Sequence, residues 1–181
     1  MPIYTKNGDD GTTNTIGNER KSKSSLVFEV LGTLDELNSV LGVLASEINF
    51  SEEAKDFIHQ TQSNLFKIGS LVANPNSRSM DFDWLEDQII TLEKRIDEMD
   101  DELPLLKKFI LPGGSNQAAK VHLSRSVCRR LERRVVYYYE NTPVNKENFV
   151  LMYINRLSDF LFTLARYINL KLNHEEKVWK G

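Results

Sequence analysis

The sequence predicts an all-α protein, a five-helix antiparallel bundle, and three observations carry that prediction. Apolar residues recur at helical spacing from Leu26 almost to the end of the chain. Asn74-Pro75-Asn76, Pro104 and Pro112-Gly113-Gly114 interrupt the pattern, because proline removes a backbone donor and glycine relaxes the chain. The segments left between the long helices are short, which favours antiparallel neighbours. Helices are expected over residues 26–49, 51–72, 82–101, 115–141 and 147–173. Ser51 and Ser115 stand where N-caps are needed, each ahead of a good helical run. A chain of 181 residues fits a single domain. Within it, residues 1–25 read as an ordered loop or a floppy tail, 26–173 as the bundle and 174–181 as a C-terminal tail.

Composition excludes several function classes. Hydrophobic residues make up 40% and charged residues 27%, values of a soluble globular chain. The formal charge of −3 argues against general attraction to nucleic acid or an anionic membrane, while leaving room for a local basic site. Cys128 is the one cysteine, so there is no intramolecular disulfide and no cysteine-based metal cluster. No apolar run approaches the ~20 residues that span a bilayer. MPIYTKNGDDG has neither a signal core nor an arginine-rich presequence. A soluble, cytoplasmic protein is expected, with no nucleic-acid and no membrane partner.

The fourth helix contains HLSRSVCRRLERRVV, residues 122–136, dense in arginine within an acidic chain. At about 100° per residue, Val121, Cys128, Val135 and Val136 form an apolar stripe. Arg125 and Glu132 project from the middle of that stripe and Arg129 from its edge, whereas Arg130 and Arg134 point toward solvent and Arg133 is intermediate. A charge on a buried stripe costs several kcal/mol unless paired, so Arg125 and Glu132 call for partners from other helices or a ligand. In LGTLDELNSVLG, Leu34, Leu37, Leu41 and Leu44 make the core face; Asp35 sits at its margin as a candidate partner for Arg125, and Glu36 points outward. In the last helix Ile154, Leu157, Leu161 and Ile168 form the core face, while Asn155, Asp159 and Arg166 share another with Phe162 and Met152. That mixed stripe reads as an interface or site wall, or as a surface network.

Two loops complete the candidate set. TKNGDDGTT places Gly8 and Gly11 among Thr5, Lys6, Thr12 and Thr13, with Lys21 and Lys23 close behind. It reads either as a plain turn or as a backbone cradle for an anion, but it lacks the Gly-Lys-Ser/Thr ending of a Walker A loop. FILPGG, Phe109 to Gly114, reads either as a loop tucked under the bundle or as an aromatic wedge against a flat ligand. A di-iron bundle needs two Glu-x-x-His pairs, and the chain offers only Asp56-Phe57-Ile58-His59, so that chemistry is rejected. His122 reads as a helix residue rather than a metal ligand, and no Ser/His/Asp or Cys/His nucleophile arrangement is recognisable.

Taken in order, IYTKNGDDGTT, GTLDELNSVLG, FILPGG, HLSRSVCRRLERR and INRLSDFLFTLARY resemble the motifs of the PduO-type ATP:cob(I)alamin adenosyltransferases, from Pro2 to about Asn169. The resemblance implies a ferritin-like five-helix bundle with an ordered N-terminal nucleotide-binding loop, assembled as a homotrimer with its sites between subunits. It also implies the reaction: the 5′-deoxyadenosyl group of ATP moves to the cobalt of cob(I)alamin, releasing triphosphate. An electron-donating reductase and an adenosylcobalamin-dependent acceptor enzyme are implied partners. A non-catalytic helical module binding cobalamin or another anionic partner is the alternative.

Site roles follow from the same resemblance. Thr5, Lys6, Asn7, Gly8, Thr13 and Lys23 match the loop that wraps ATP, and Arg129, Arg130, Leu131, Glu132, Arg133 and Asn155 match positions around the nucleotide. Leu131 stands where many members carry alanine and would tighten that packing if its side chain faces inward. Asp35 and Arg125 match an ion pair between subunits. Phe109 matches the aromatic that closes the lower corrin face and leaves cobalt four-coordinate. Mg²⁺ is expected on the phosphate oxygens, with few protein ligands.

Overall fold

A computed structural model describes residues 3–4, 6–16, 19–47, 51–74, 82–144 and 148–180. Five helices dominate it: α1 Leu26–Glu47, α2 Glu52–Ala73, α3 Asp83–Asp100, α4 Asn116–Asn141 and α5 Asn148–Lys171. Each lies within a few residues of its expected span. The Ser51 and Ser115 hydroxyls both act as N-caps, accepting from the Ala54 and Ala118 amides at 3.1 Å. Glu52 and Glu53 then place negative charge on the first turn of α2, where the helix dipole favours it.

The core is built from the apolar stripes that the helical repeat predicts. Leu37, Leu41 and Leu44 of α1 are fully buried, as are Ile58, Leu65 and Ile68 of α2. Leu85 and Leu92 join them from α3, and Ile154, Leu157, Leu161 and Ile168 from α5. Each such side chain contributes roughly 1.5–3 kcal/mol by leaving water. Tyr153 is buried with them, its hydroxyl accepting from Asn64 at 3.3 Å, and burial pushes its pKa up. On α4, Val121, Cys128 and Val135 are buried as expected, but Val136 is 38% exposed. One residue beyond Val135, it has rotated about 100° off the stripe.

The helices close into a ring. α1 packs on α2 and α4, α4 on α5, and α5 on α3. Asn64 donates to Gln88 at 2.8 Å and Arg95 to Glu53 at 2.6 Å, which joins α3 back to α2. Helices consecutive in sequence run antiparallel. Five alternately directed helices cannot close a ring without one parallel contact, because five is odd. That contact is α3 with α5, where Glu93 meets Arg156; just past the end of α3, Glu102 meets Lys171.

Two features depart from the helical expectation. Two short strands pair antiparallel, β1 Thr12–Asn14 with β2 Arg20–Ser22, in the register Thr13↔Lys21. The residues of both strands are polar, so no hydrophobic alternation announces the pairing. The C-terminal tail is also tied down: Ile110 and Val178 form an isolated antiparallel bridge. No helix among the described residues is long and apolar enough to cross a membrane.

Candidate functional site

The arginines of α4 divide by what they face. Arg130 pairs with Glu36, and Arg134 reaches Glu29 at 3.4 Å, both carboxylates lying on α1. Glu36 is therefore half-exposed but not a free carboxylate, and the outward arginines help fasten α4 to α1. Lys120 continues the same seam by pairing with Glu47. Arg125, Arg129 and Arg133 have no ion-pair partner among the described residues. Spaced four apart, they form one stripe along the helix.

Beside that stripe, α4 meets α5. Asn155 donates to the Glu132 carboxylate at 2.9 Å, which brings together two residues singled out in the sequence. Arg125 lies 5.9 Å over the Phe162 ring, and its Nε is buried without an acceptor. Burial, then the Arg129 charge, lowers its pKa. His122 is 3% exposed, with neither ring nitrogen hydrogen-bonded and its ring 6.1 Å from Phe162. Burial and the nearby Arg125 charge hold the imidazole neutral, with a pKa of about 4. Cys128 donates to the Ile154 carbonyl at 3.4 Å, and burial pushes its thiol pKa up. Leu131 also belongs to the core and is fully buried, so its side chain does not reach the arginine stripe.

The N-terminal loop is held shut by Asp10, a residue to which the sequence analysis assigns no role. Asp10 accepts from the Thr12 hydroxyl at 2.7 Å and amide at 3.0 Å, and from Arg20 at 2.8 Å. The Thr12 hydroxyl bond first, then the Thr12 amide and Arg20, bring its carboxyl down to about 2. Arg20 also donates to the Asn7 carbonyl at 3.2 Å. Gly8 lies so close to Lys23 that a Cβ would stand 3.0 Å from its Nζ. Lys6 has φ 61, the left-handed region, which turns the chain here. The structure thus gathers Lys6, Asn7, Gly8, Thr13 and Lys23 into one turn-and-strand unit; Thr5 lies outside the described residues.

No hydrogen bond or ion pair among the described residues joins that unit to Arg129, Arg133, Glu132 or Asn155. Nor does Asp35, which is exposed on α1, pair with Arg125 within the chain. Phe109 stands 79% exposed on the loop between α3 and α4, edge-on to Trp179 at 6.4 Å. Arg166 lies away from Asn155 and Asp159: it is buried and bonds Glu176 and the Pro104 carbonyl. The helical repeat aligned the three, but Asp159 turns instead to Arg156 at 2.9 Å.

The model of the cobalamin adenosyltransferase family matches residues 3–168. The chain belongs to that family. It is 40% identical to the corrinoid adenosyltransferase MMAB of Bos taurus over 98% of this chain and 76% of the relative. It is 41% identical to the corrinoid adenosyltransferase of Bacillus subtilis, over 94% and 88%. Among solved structures, a variant PduO-type ATP:corrinoid adenosyltransferase from Lactobacillus reuteri, complexed with cobalamin and ATP, superposes with a TM-score of 0.92. That protein is 34% identical, with 99% of this chain and 100% of that one covered.

Proposed function

We propose that this cobalamin adenosyltransferase moves the 5′-deoxyadenosyl group of ATP to the cobalt of cob(I)alamin. Co(I) supplies the electron pair of the new Co–C5′ bond; the C5′–O bond breaks, and its electrons leave on triphosphate. The observation that carries this reading is the family match across nearly the whole chain. The site chemistry is consistent with it. Arg125, Arg129 and Arg133 present positive charge that no carboxylate among the described residues pairs with. Charge-assisted bonds to a leaving triphosphate strengthen as its negative charge grows.

In this reading the 6–23 loop closes over the nucleotide, and Arg129, Arg133 and the Glu132–Asn155 pair line its pocket. Arg130 contributes only by sharing itself with Glu36, and Leu131 by packing behind the pocket. Phe109 covers the lower corrin face. Since no hydrogen bond or ion pair among the described residues joins the loop to the arginine stripe, in this reading the site is completed by a second copy in a homotrimer. There Asp35 of the partner subunit would satisfy Arg125, whose Nε lacks an acceptor. Mg²⁺ would ride on the phosphate oxygens; among the described residues no group of three or more His, Cys, Asp or Glu side chains converges to hold it alone. Starting from cob(II)alamin, one electron must come from a reductase. Product hand-over to an acceptor enzyme and a cytoplasmic location belong to the same proposal.

The test mixes the protein with ATP, Mg²⁺ and chemically reduced cobalamin and follows the visible spectrum. Adenosylcobalamin should accumulate with equimolar triphosphate. Cobalamin retained without ATP consumption would instead support the non-catalytic alternative.

A further inference from the structure

The loop that presents Phe109 is anchored in a way that a plain connector does not require. It leaves α3 after Asp100 and enters α4 at Asn116, and two buried polar side chains of α5 grip it near its ends. Arg166, 4% exposed, donates from Nη2 to the Pro104 carbonyl at 2.7 Å. Asn169, 2% exposed, donates to the Gly113 carbonyl at 3.0 Å and accepts from the Ser115 amide at 2.9 Å. The two are three residues apart, so they share a face of the helix.

A strap holds the middle of the loop. After α5 the chain turns back, with the His174 amide donating to the Asn169 carbonyl at 2.8 Å. The Leu111 amide donates to the Lys177 carbonyl and the Trp179 amide to the Phe109 carbonyl, each at 2.8 Å. The strap is itself secured by Arg166, whose Nε donates to Glu176 at 3.0 and 3.3 Å. One buried guanidinium therefore clamps loop and strap together. A guanidinium is seldom buried unless fully used, and this one joins the two segments that flank Phe109. Holding a large aromatic ring out in water, on a loop bonded near both ends and at the Phe109 carbonyl, is preorganisation toward a flat apolar partner.

We propose that Arg166 and Asn169 are positioning residues for Phe109, and that residues 174–179 are the strap that fixes its height and tilt. Neither α5 residue touches the corrin. They act by holding the Phe109 ring where an axial ligand of cobalt would otherwise enter. This inference rests on the proposed role of Phe109.

Glu176→Ala unfastens the strap at a partly exposed position; because it also takes the close carboxylate partner from buried Arg166, Tm is read beside the functional quantities. Three quantities are read: the fraction of bound cob(II)alamin that is four-coordinate in the presence of ATP, by electron paramagnetic resonance; the Kd for ATP; and Tm. The variant should lose at least fivefold in four-coordinate fraction while its ATP Kd stays within twofold. Ile110 and Val178 are a non-hydrogen-bonded antiparallel pair, in which Cα atoms lie about 4.5 Å apart, within disulfide range. Adding Ile110→Cys/Val178→Cys to Glu176→Ala should restore the four-coordinate fraction under oxidising conditions and lose it again on reduction. An unchanged fraction in Glu176→Ala, or a staple that restores Tm but not the fraction, overturns the inference alone. A wild-type protein that forms no four-coordinate species overturns the Phe109 role and this inference with it.

Discussion

His122 gives the most direct measure of how tightly the α4–α5 seam is packed. Its imidazole is 3% exposed, unbonded at both nitrogens and close to the Arg125 guanidinium. Its folded pKa is about 4, against 6.5 for a free histidine. The unfolded chain therefore takes up a proton between pH 6.5 and 4 that the folded chain refuses. Stability from this group is complete above pH 6.5 and is lost as pH falls toward 4. A gap of about 2.5 units is worth about 3.4 kcal/mol over the whole range and about 2 kcal/mol by pH 5. His122→Leu removes the titration and two unsatisfied polar atoms. Unfolding should be followed at pH 7.5 and pH 5 for both proteins at equal protomer concentration. The wild type should lose about 2 kcal/mol more than the variant, which is about 4–8 °C in Tm for a domain of this size. Equal losses in both proteins would refute the burial argument, since the imidazole would then titrate as if it were solvated.

Other expected outcomes follow from single contacts. Arg129→Ala should weaken ATP binding at least tenfold, while Arg134→Ala, whose partner is Glu29, should change it less than twofold; calorimetry distinguishes them. Leu131→Ala should cost about 2–5 kcal/mol in urea unfolding, because the side chain is fully buried in the core. Gly114→Ala should lower stability and slow cobalamin turnover, because φ is +105 and a Cβ would overlap the Asn169 side chain. Cys128 should react with a thiol reagent only at the rate of unfolding, given its burial and its raised pKa.

The helices were legible because their evidence is local. Apolar spacing, Ser51 and Ser115 as caps, and the proline breaks all act within a turn or two of the residues they organise. The family resemblance was legible too, through five short motifs in order. What stayed hidden depends on residues distant in sequence. Nothing in HEEKVWK predicts a strap, because its pairing partners at Phe109 and Leu111 lie more than 60 residues upstream. Asp10 as the hub of the N-terminal loop was hidden for a different reason: its partners Thr12 and Arg20 are polar, so the strand pair carries no hydrophobic period. Helical geometry also put Arg166 on the face of Asn155 and Asp159, but a shared face says nothing about which neighbour arrives there. The answer, Glu176 and Pro104, comes from two loops.

The division among the α4 arginines now has a physical basis. Arg130 and Arg134, four residues apart, are met by Glu36 and Glu29 on α1, so their charge is neutralised within the chain. Arg125, Arg129 and Arg133 make a second row about 12 Å long by helical rise, with like charges at i,i+4 spacing. Such spacing costs an isolated helix a few tenths of a kcal/mol per pair. The Arg125 end is also partly desolvated, which raises the cost. No carboxylate among the described residues pairs with this row, although the chain carries a formal charge of −3. A row of charge without a carboxylate partner among the described residues, beside a Glu132–Asn155 pair already set by α5, gains stability when something anionic binds along it. The proposed assembly brings two such partners, a carboxylate of a second copy at the Arg125 end and a polyphosphate farther along. Each removes part of the same repulsion, so trimer contact and nucleotide binding should reinforce one another through this one helix face.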